Sequence, residues 1–368
     1  MTENPRDTAR RLARWYRRHA RALPWRTTRD PYAIWLSEVM AQQTTLEVVA
    51  PRWARFRRRF PTVETLAEAK EHEVLAEWSG LGYYARARNL HRAAKTVAAA
   101  GAFPRTLEGW RALPGVGAYT SAAVASIAFD VAEPVVDGNV VRVLCRLFGL
   151  RLDARAPATL EKVRALARPL VPARNPGGHN QAVMELGALV CTPHAPRCRA
   201  CPLRSSCRAA ASGTPEAFPL APRRRPTRQV HLIAAIVRRG RKILLVEDGE
   251  MVQGQLVPPM FPVRSGQRPV NVLRRGWKRI AGRDVSALER VAVLRHSVLE
   301  RRYRIDLFTF KENPLPPPPE CRRRPKAHGR NRIHLVRPAD LSRHAHGGLL
   351  QKALAAWRAH HARATRRA

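Results

Sequence analysis

This chain reads as two domains of different class: a mostly α-helical first domain and an α+β second domain. Three observations predict that division. Up to about residue 210, apolar residues recur at helical spacing in segments of about 10–15 residues, broken by short Pro or Gly stretches. Near residue 212 the composition changes to SGTPEAFPLAPRRRPTR, rich in Pro, Gly and Arg, which reads as a linker. After it, apolar runs become short and strand-like. With 368 residues the chain is long enough for two ordinary domains, each with its own core. The expected boundaries are 1–211, a linker at 212–229, and 230–368.

In the first domain the periodicity predicts helices at Pro31–Gln43, Ala85–Ala100, Thr120–Phe129, Val140–Leu147 and His179–Val190. The connections are short, as in a compact helical domain. In the second, His231–Val237, Lys242–Val246, Tyr303–Phe310 and Ile333–Val336 read as strands, and Val270–Ala281 and Gly348–Ala359 as helices. Strands with interspersed helices make an α+β pattern. The segment 314–332, PLPPPPECRRRPKAHGRNR, is low-complexity and reads as an insertion, with Cys321 as an exposed thiol.

Sixty-seven basic residues stand against 28 acidic ones, a formal net charge of +39. That balance points to a polyanionic partner, most plausibly nucleic acid. No run of 18 apolar residues is present and the first residues, MTENPRDTARRLARW, lack an apolar signal core. A membrane partner is therefore not expected, and the cytoplasm is the expected compartment.

Cys191, Cys198, Cys201 and Cys207 follow the spacing C-x6-C-x2-C-x5-C within 17 residues. Four thiolates so close suit a soft tetrahedral metal site or an iron–sulfur cluster. The gaps differ from the C-x2-C pairs of zinc modules. A disulfide framework or four unrelated thiols is the plainer alternative.

Three other stretches could carry chemistry. Leu113-Pro114-Gly115-Val116-Gly117 precedes an apolar helix. Such a turn lets the backbone of Gly115, Val116 and Gly117 approach a phosphate near a helix N-terminus. Asp137 precedes a helix, where it could cap the helix or face a developing cation. Glu38 falls on the apolar helix face of Ile34 and Trp35. Burial there should raise its pKa from about 4.3 towards neutrality, as a general acid requires.

Taken together, LPWR, WLSEVMAQQTT, GLGYYARARNL, LPGVGAYT, VDGNVVRVL, MELGALVC and the cysteine loop resemble, in order and spacing, the adenine DNA glycosylases of the MutY type. These belong to the helix-hairpin-helix superfamily of endonuclease III. The resemblance implies a [4Fe–4S] cluster on the four cysteines. It implies Glu38 as the acid that protonates the purine, Asp137 facing the cationic sugar, and Asn139 holding the site. At Tyr119, bifunctional relatives carry a lysine, so excision without strand cleavage is implied. Trp25, Arg26 and Glu185 should line the pocket of the flipped adenine. Gln43, Thr44 and Tyr83 should lie on the 8-oxoguanine side, with Tyr83 as a wedge. The partner implied is duplex DNA with 8-oxoguanine·A or G·A mispairs, bound by a monomer at the nucleoid. Ala41 departs from the family, where a bulkier apolar residue is usual.

The second domain resembles the MutT (Nudix) fold that follows the catalytic domain in this family. His296, Ser297 and Glu300 are the candidates for reading the lesion from a loop. Two departures stand out: Val298-Leu299-Glu300 replaces the usual Phe-Ser-His, and MVQGQLVPPMFP replaces a Trp-Gly-Gly stretch. The Nudix hydrolase signature is absent from the sequence, so diphosphatase activity is not expected. The competing readings are a thymine or uracil mismatch glycosylase on the same fold and a non-catalytic iron–sulfur DNA-binding protein.

Overall fold

The computed structural model describes residues 4–221, 226–248, 255–282, 284–285, 287–298, 300–310, 333–344 and 347–365. The insertion 314–332 with Cys321, part of the linker, the start of MVQGQLVPPMFP and Leu299 lie outside them. Met1–Glu68 and Asn89–Arg224 form one compact unit; Ala69–Arg88 and Arg225–Ala368 form the other.

The helices, in order, are α1 Pro5–His19, α2 Pro31–Ala41, α3 Leu46–Arg59, α4 Val63–Glu68, α5 Glu71–Glu77, α6 Ala85–Ala100, α7 Leu107–Arg111, α8 Ala118–Phe129, α9 Gly138–Phe148, α10 Pro157–Ala167, α11 Pro176–Leu189, α12 Arg208–Ala211, α13 Pro269–Ala281 and α14 Gly348–Thr365. The strands are β1 Arg228–Arg239, β2 Lys242–Asp248, β3 Gln255–Val257, β4 Met260–Pro262, β5 Leu288–Val298, β6 Arg301–Phe310 and β7 Ile333–Val336.

In the helical unit, α2 starts where the sequence places a cap. Asp30 accepts from the Tyr32 amide, and Pro31 presets the first turn. Tyr32 to Ser37, Val39 and Met40 are all buried, so α2 is apolar nearly all round and occupies the interior. Its charged residue, Glu38, is thereby carried inward. α2 packs on α8, α8 on α11, and α11 on α1 and α9. The α9–α11 approach is close: a Cβ on Gly187 would lie 2.6 Å from Cβ of Asn139. Val140, Leu144, Leu147, Val183 and Leu186 form the core between these helices, with Cys191, Cys201 and Cys207 packed against it.

In the other unit, a seven-stranded sheet runs β3-β2-β1-β6-β5, with β4 beside β1 and β7 beside β2. β1 and β6 are parallel, and every other pair is antiparallel. Leu232, Ala234 and Ile236 pack against Leu350, Ala353 and Trp357 of α14. Ile233, Ala235 and Val237 pack against Leu273 and Trp277 of α13. Two helices thus cover opposite faces of a mixed sheet, an α+β arrangement. Gly276 lets α13 lie against β4, since a Cβ there would fall 2.4 Å from the Phe261 ring.

The strand at Leu288–Val298 was not expected, and it changes the reading of the lesion-reading loop. His296 and Ser297 lie on β5 rather than in a loop, paired with Tyr303 and Arg302. Adjacent strand residues point to opposite faces, so these two cannot read one group together. Only Glu300 lies in the hairpin turn, exposed. Among the described residues no helix is long and apolar enough to cross a membrane.

Candidate active site

A cavity of about 390 Å³ in the helical unit is lined by residues from η-turn Pro24–Arg26, α2, α8, α9 and α11. Trp25, Arg26, Glu38, Thr44, Tyr119, Asp137, Asn139 and Glu185 all line it. Eight residues singled out in the sequence, from five separate stretches, therefore meet in one place. The volume lies within the usual range of small-molecule pockets.

Glu38 and Tyr119 are in contact: the Tyr119 hydroxyl donates to Glu38 Oε2 at 2.5 Å. Burial raises the Glu38 carboxyl above its ordinary value, the Tyr119 hydroxyl works against that, and the Asp137 charge adds to it. Burial likewise pushes the Tyr119 phenol well up, so it stays a donor. A protonatable carboxyl facing a cavity beside a second carboxyl is the arrangement in which acid and base roles separate.

Asp137 caps a helix and also reaches the cavity. As N-cap of α9 its Oδ1 accepts from the Val140 amide at 2.7 Å, and its Oδ2 accepts from Asn139 Nδ2 at 2.9 Å. Burial raises its pKa, while the Val140 and Asn139 bonds hold the rise down.

Behind Asn139 stands a residue the sequence did not single out. Arg142 Nη2 donates to Asn139 Oδ1 at 2.8 Å and to the Gly187 carbonyl at 2.8 Å, and Arg142 Nε donates to the Cys191 carbonyl at 2.7 Å. The chain of bonds runs from the cysteine loop to Asp137. Its only sequence signal is helical spacing, Arg142 falling three residues after Asn139 on α9.

Glu185 lines the cavity, but its carboxylate is fully occupied. Oε1 accepts from the Arg21 amide, Arg21 Nε and Arg26 Nη1, and Oε2 from Arg21 Nη2 and Arg26 Nη2, all within 2.7–3.0 Å. Burial alone would raise its pKa; the two guanidiniums overcome that and hold it down at about 2. Five donors exhaust a carboxylate's acceptor sites. Glu185 is thus an anchor for Arg26 rather than a group with spare capacity for a ligand. Arg21, which the sequence reading passed over, completes the anchor. Trp25 is buried against Trp53, with ring centroids 5.6 Å apart, and forms a rigid apolar wall.

The remaining predicted residues lie outside this cavity. Gln43 is exposed and sits between α2 and α3 in the left-handed region, φ 56°. Tyr83 is 42% exposed, also left-handed, with the Arg86 guanidinium 5.5 Å from its ring centroid. Gly115, φ +76°, lets the turn pass over Asn89, whose Cβ a side chain would meet at 2.5 Å. Val116 points inward, 8% exposed, and its amide already donates to the Leu113 carbonyl. Gly117 is the N-cap of α8 and offers no side-chain cap, so the first amides of α8 have no side-chain partner from that residue.

Cys191, Cys198, Cys201 and Cys207 form no disulfide among the described residues. Arg146, 2% exposed, sits beneath their loop: Nη1 lies 3.4 Å from Cys191 Sγ, and its other donors hold the carbonyls of Thr192, Pro193 and Phe218. Burial pushes the Cys201 thiol up to about 11, with Cys191, Cys207 and Cys198 close enough to add to the rise. Among the described residues no group of three or more His, Cys, Asp or Glu side chains converges on a single ion.

Comparison with known proteins agrees with this geometry. Curated relatives include the adenine DNA glycosylase of Rattus norvegicus, 46% identical over 211 residues, covering 54% of this chain and 41% of the relative. That of Buchnera aphidicola subsp. Schizaphis graminum is 36% identical over 199 residues, covering 53% and 57%. The chain thus spans about half the length of these relatives. A solved thermostable thymine-DNA glycosylase superposes with a TM-score of 0.53 at 29% identity, covering 57% of this chain and 97% of that one. An endonuclease III from a trapped DNA complex gives 0.50 at 23% identity, covering 58% and 99%, a likeness of fold. Residues 36–169 match the HhH-GPD superfamily of base excision DNA repair proteins, and the helical part of this chain belongs to that superfamily.

Proposed function

We propose that the protein is a monofunctional adenine DNA glycosylase that hydrolyses the N-glycosidic bond of adenine mispaired with 8-oxoguanine or guanine in duplex DNA. The observation that carries this reading is the Glu38–Tyr119 pair facing Asp137 across one cavity walled by Trp25 and Arg26. Adenine leaves readily only when its ring is protonated. Glu38, whose pKa burial and the neighbouring Asp137 charge raise, donates a proton to adenine, at N7. The C1′–N9 bond then breaks, its electron pair leaving with the base. Asp137, ionised and fixed by the Val140 amide and Asn139, faces the cationic sugar. Water adds to C1′ and its proton passes to a carboxylate. Tyr119 offers no amine for a Schiff base, so no strand cleavage is coupled to excision.

The thymine mismatch glycosylase likeness favours a second reading on the same fold. Thymine leaves as an anion without ring protonation, so a cavity acid such as Glu38 is better matched to adenine. The cysteine loop supports a [4Fe–4S] cluster on Cys191, Cys198, Cys201 and Cys207. Four soft thiols beside the Arg146 guanidinium suit an anionic thiolate-held cluster. The cluster would order the loop; hydrolysis needs no electron transfer. The test is single-turnover excision from duplexes carrying A, T or U opposite G or 8-oxoguanine. Preference for T or U over A would replace this reading with the second.

A further inference from the structure

The sheet of the second unit leaves part of one face bare. Ile305 and Leu307 of β6 belong to the core under α14, and Phe308 to the core under α13. Arg302, Arg304 and Asp306 therefore lie on the α13 face. The register sets Ser297 and Arg295 of β5, and Gln229 and His231 of β1, beside Arg302 and Arg304 on that same face. Beyond Phe308 no helix covers the face among the described residues: Gln229, Arg295, Ser297, Arg302 and Arg304 are all exposed.

Charge placement here is costly to the fold. Arg304 stands directly opposite Arg295 on one side and His231 on the other. Like charges directly opposite on a sheet face destabilise it. The acid among these described residues, Asp306, is 5% exposed, and both its oxygens are taken. His231 Nε2 lies 2.6 Å from Oδ2, and Arg290 Nη2 donates to Oδ1 at 2.9 Å. Arg295, Arg302 and Arg304 have no ion pair among the described residues. A surface that sets three uncompensated guanidiniums together gains most from a polyanion.

We propose that this face, centred on Arg295, Arg302 and Arg304 with Gln229 and Ser297 beside them, binds the phosphate backbone of duplex DNA. Every group on offer is a donor able to reach a phosphate oxygen. Alternate residues along a strand stand about 6.6 Å apart, so the donors repeat along a line. Contacts to phosphate oxygens carry no sequence information, so the binding is sequence-independent. The inference rests on the proposed function only in choosing duplex DNA as the polyanion; it needs no particular base to be excised.

The test uses the full chain with Arg295→Gln, Arg302→Gln and Arg304→Gln combined, and a fluorescent duplex without a mispair. Binding is followed by anisotropy between about 50 and 200 mM salt. Each phosphate contact contributes about 0.9 to the slope of log K against log salt. The triple variant should lose about 2–3 from that slope, with a melting temperature equal to or above that of the unsubstituted protein because like-charge crowding is relieved. A control with the same charge change, Arg275→Gln, Lys278→Gln and Arg279→Gln on exposed positions of α13, should keep the slope. An unchanged slope in the first variant, or an equal fall in both, overturns the assignment of this face. Failure of the unsubstituted protein to bind duplex at all would instead count against the proposed function.

Discussion

Replacing Tyr119 with Phe removes one hydroxyl, the group that donates to Glu38 Oε2 at 2.5 Å. Four influences act on Glu38: burial and the Asp137 charge raise its pKa, and the Tyr119 hydroxyl and, more weakly, the Arg26 charge lower it. The substitution deletes the larger of the two lowering ones. A hydrogen bond to a charged group is worth about 1.5–3 kcal/mol. At 1.36 kcal/mol per pH unit, its loss should raise the Glu38 pKa by about 1–2 units. Glu38 acts in its protonated form, so the excision rate falls as pH rises through that pKa. In single-turnover assays on an 8-oxoguanine·A duplex, the descending alkaline limb for Tyr119→Phe should move up by about 1–2 pH units. The acid plateau should stay within about tenfold, because Tyr119 does not transfer the proton. A limb that does not move would mean that the titrating acid is not Glu38, or that the Tyr119 bond does not govern it.

Glu38→Gln should keep duplex binding and lose about a hundredfold to ten-thousandfold in excision, measured in the same assay. Arg142→Ala cuts the link from the Cys191 carbonyl to Asn139, and should slow excision more than it weakens binding, separable by comparing the single-turnover rate with the duplex Kd. Cys198→Ser should lose iron and soluble yield together, whereas finding one zinc and no sulfide in anaerobically prepared protein would overturn the cluster. The Glu185 pKa is depressed to about 2 in the fold, so its stabilisation is present above the unfolded value near 4.5 and is lost as pH falls through about 2. That is worth about 3 kcal/mol, and Glu185→Gln should flatten this part of the stability–pH curve in denaturant titrations.

The sequence made the helical unit readable because its cues are local. Asp30-Pro31 marks the start of α2, and Asp137-Gly138 that of α9, each by a cap that needs only its own few residues. Ala85–Ala100 and Ile333–Val336 were bounded as found. β5 was missed because an edge strand exposed on one face shows Arg290, Arg295 and Ser297 between its apolar residues, and so reads as a loop. β3 and β4, of three residues each, owe their form to pairing with β2 and β1, which no local pattern announces. In the site, Glu38 and Asp137 were legible because a carboxylate among apolar residues and one before a helix are unusual. Arg21 and Asn180 were not. Asn180 bonds the Val135 amide, the Glu133 carbonyl and Ser126, and so pins the segment leading to Asp137; its partners lie 45 to 54 residues away.

Three of the four carboxylates that line the cavity, Glu185, Asp137 and Glu38, show why distant partners matter more than residue type. Glu185 sits among guanidiniums and is held anionic far below the usual range. Asp137 accepts from an amide and from Asn139, which stabilise its charge against burial. Glu38 has a single phenolic donor and faces Asp137, so it is the member most easily kept protonated. Once Asp137 is ionised, ionising Glu38 as well would put two negative charges in one poorly solvated space, so the Asp137 charge adds to the rise that burial gives the Glu38 carboxyl. Asp137→Asn should therefore do two things at once. It removes the anion facing the sugar, and it lowers the Glu38 pKa by removing the neighbouring charge, so the alkaline limb should move down while Tyr119→Phe moves it up. Opposite displacements from two substitutions on either side of Glu38 are what a coupled acid–anion pair demands; an alkaline limb that Asp137→Asn leaves in place would mean that the two carboxyls titrate independently.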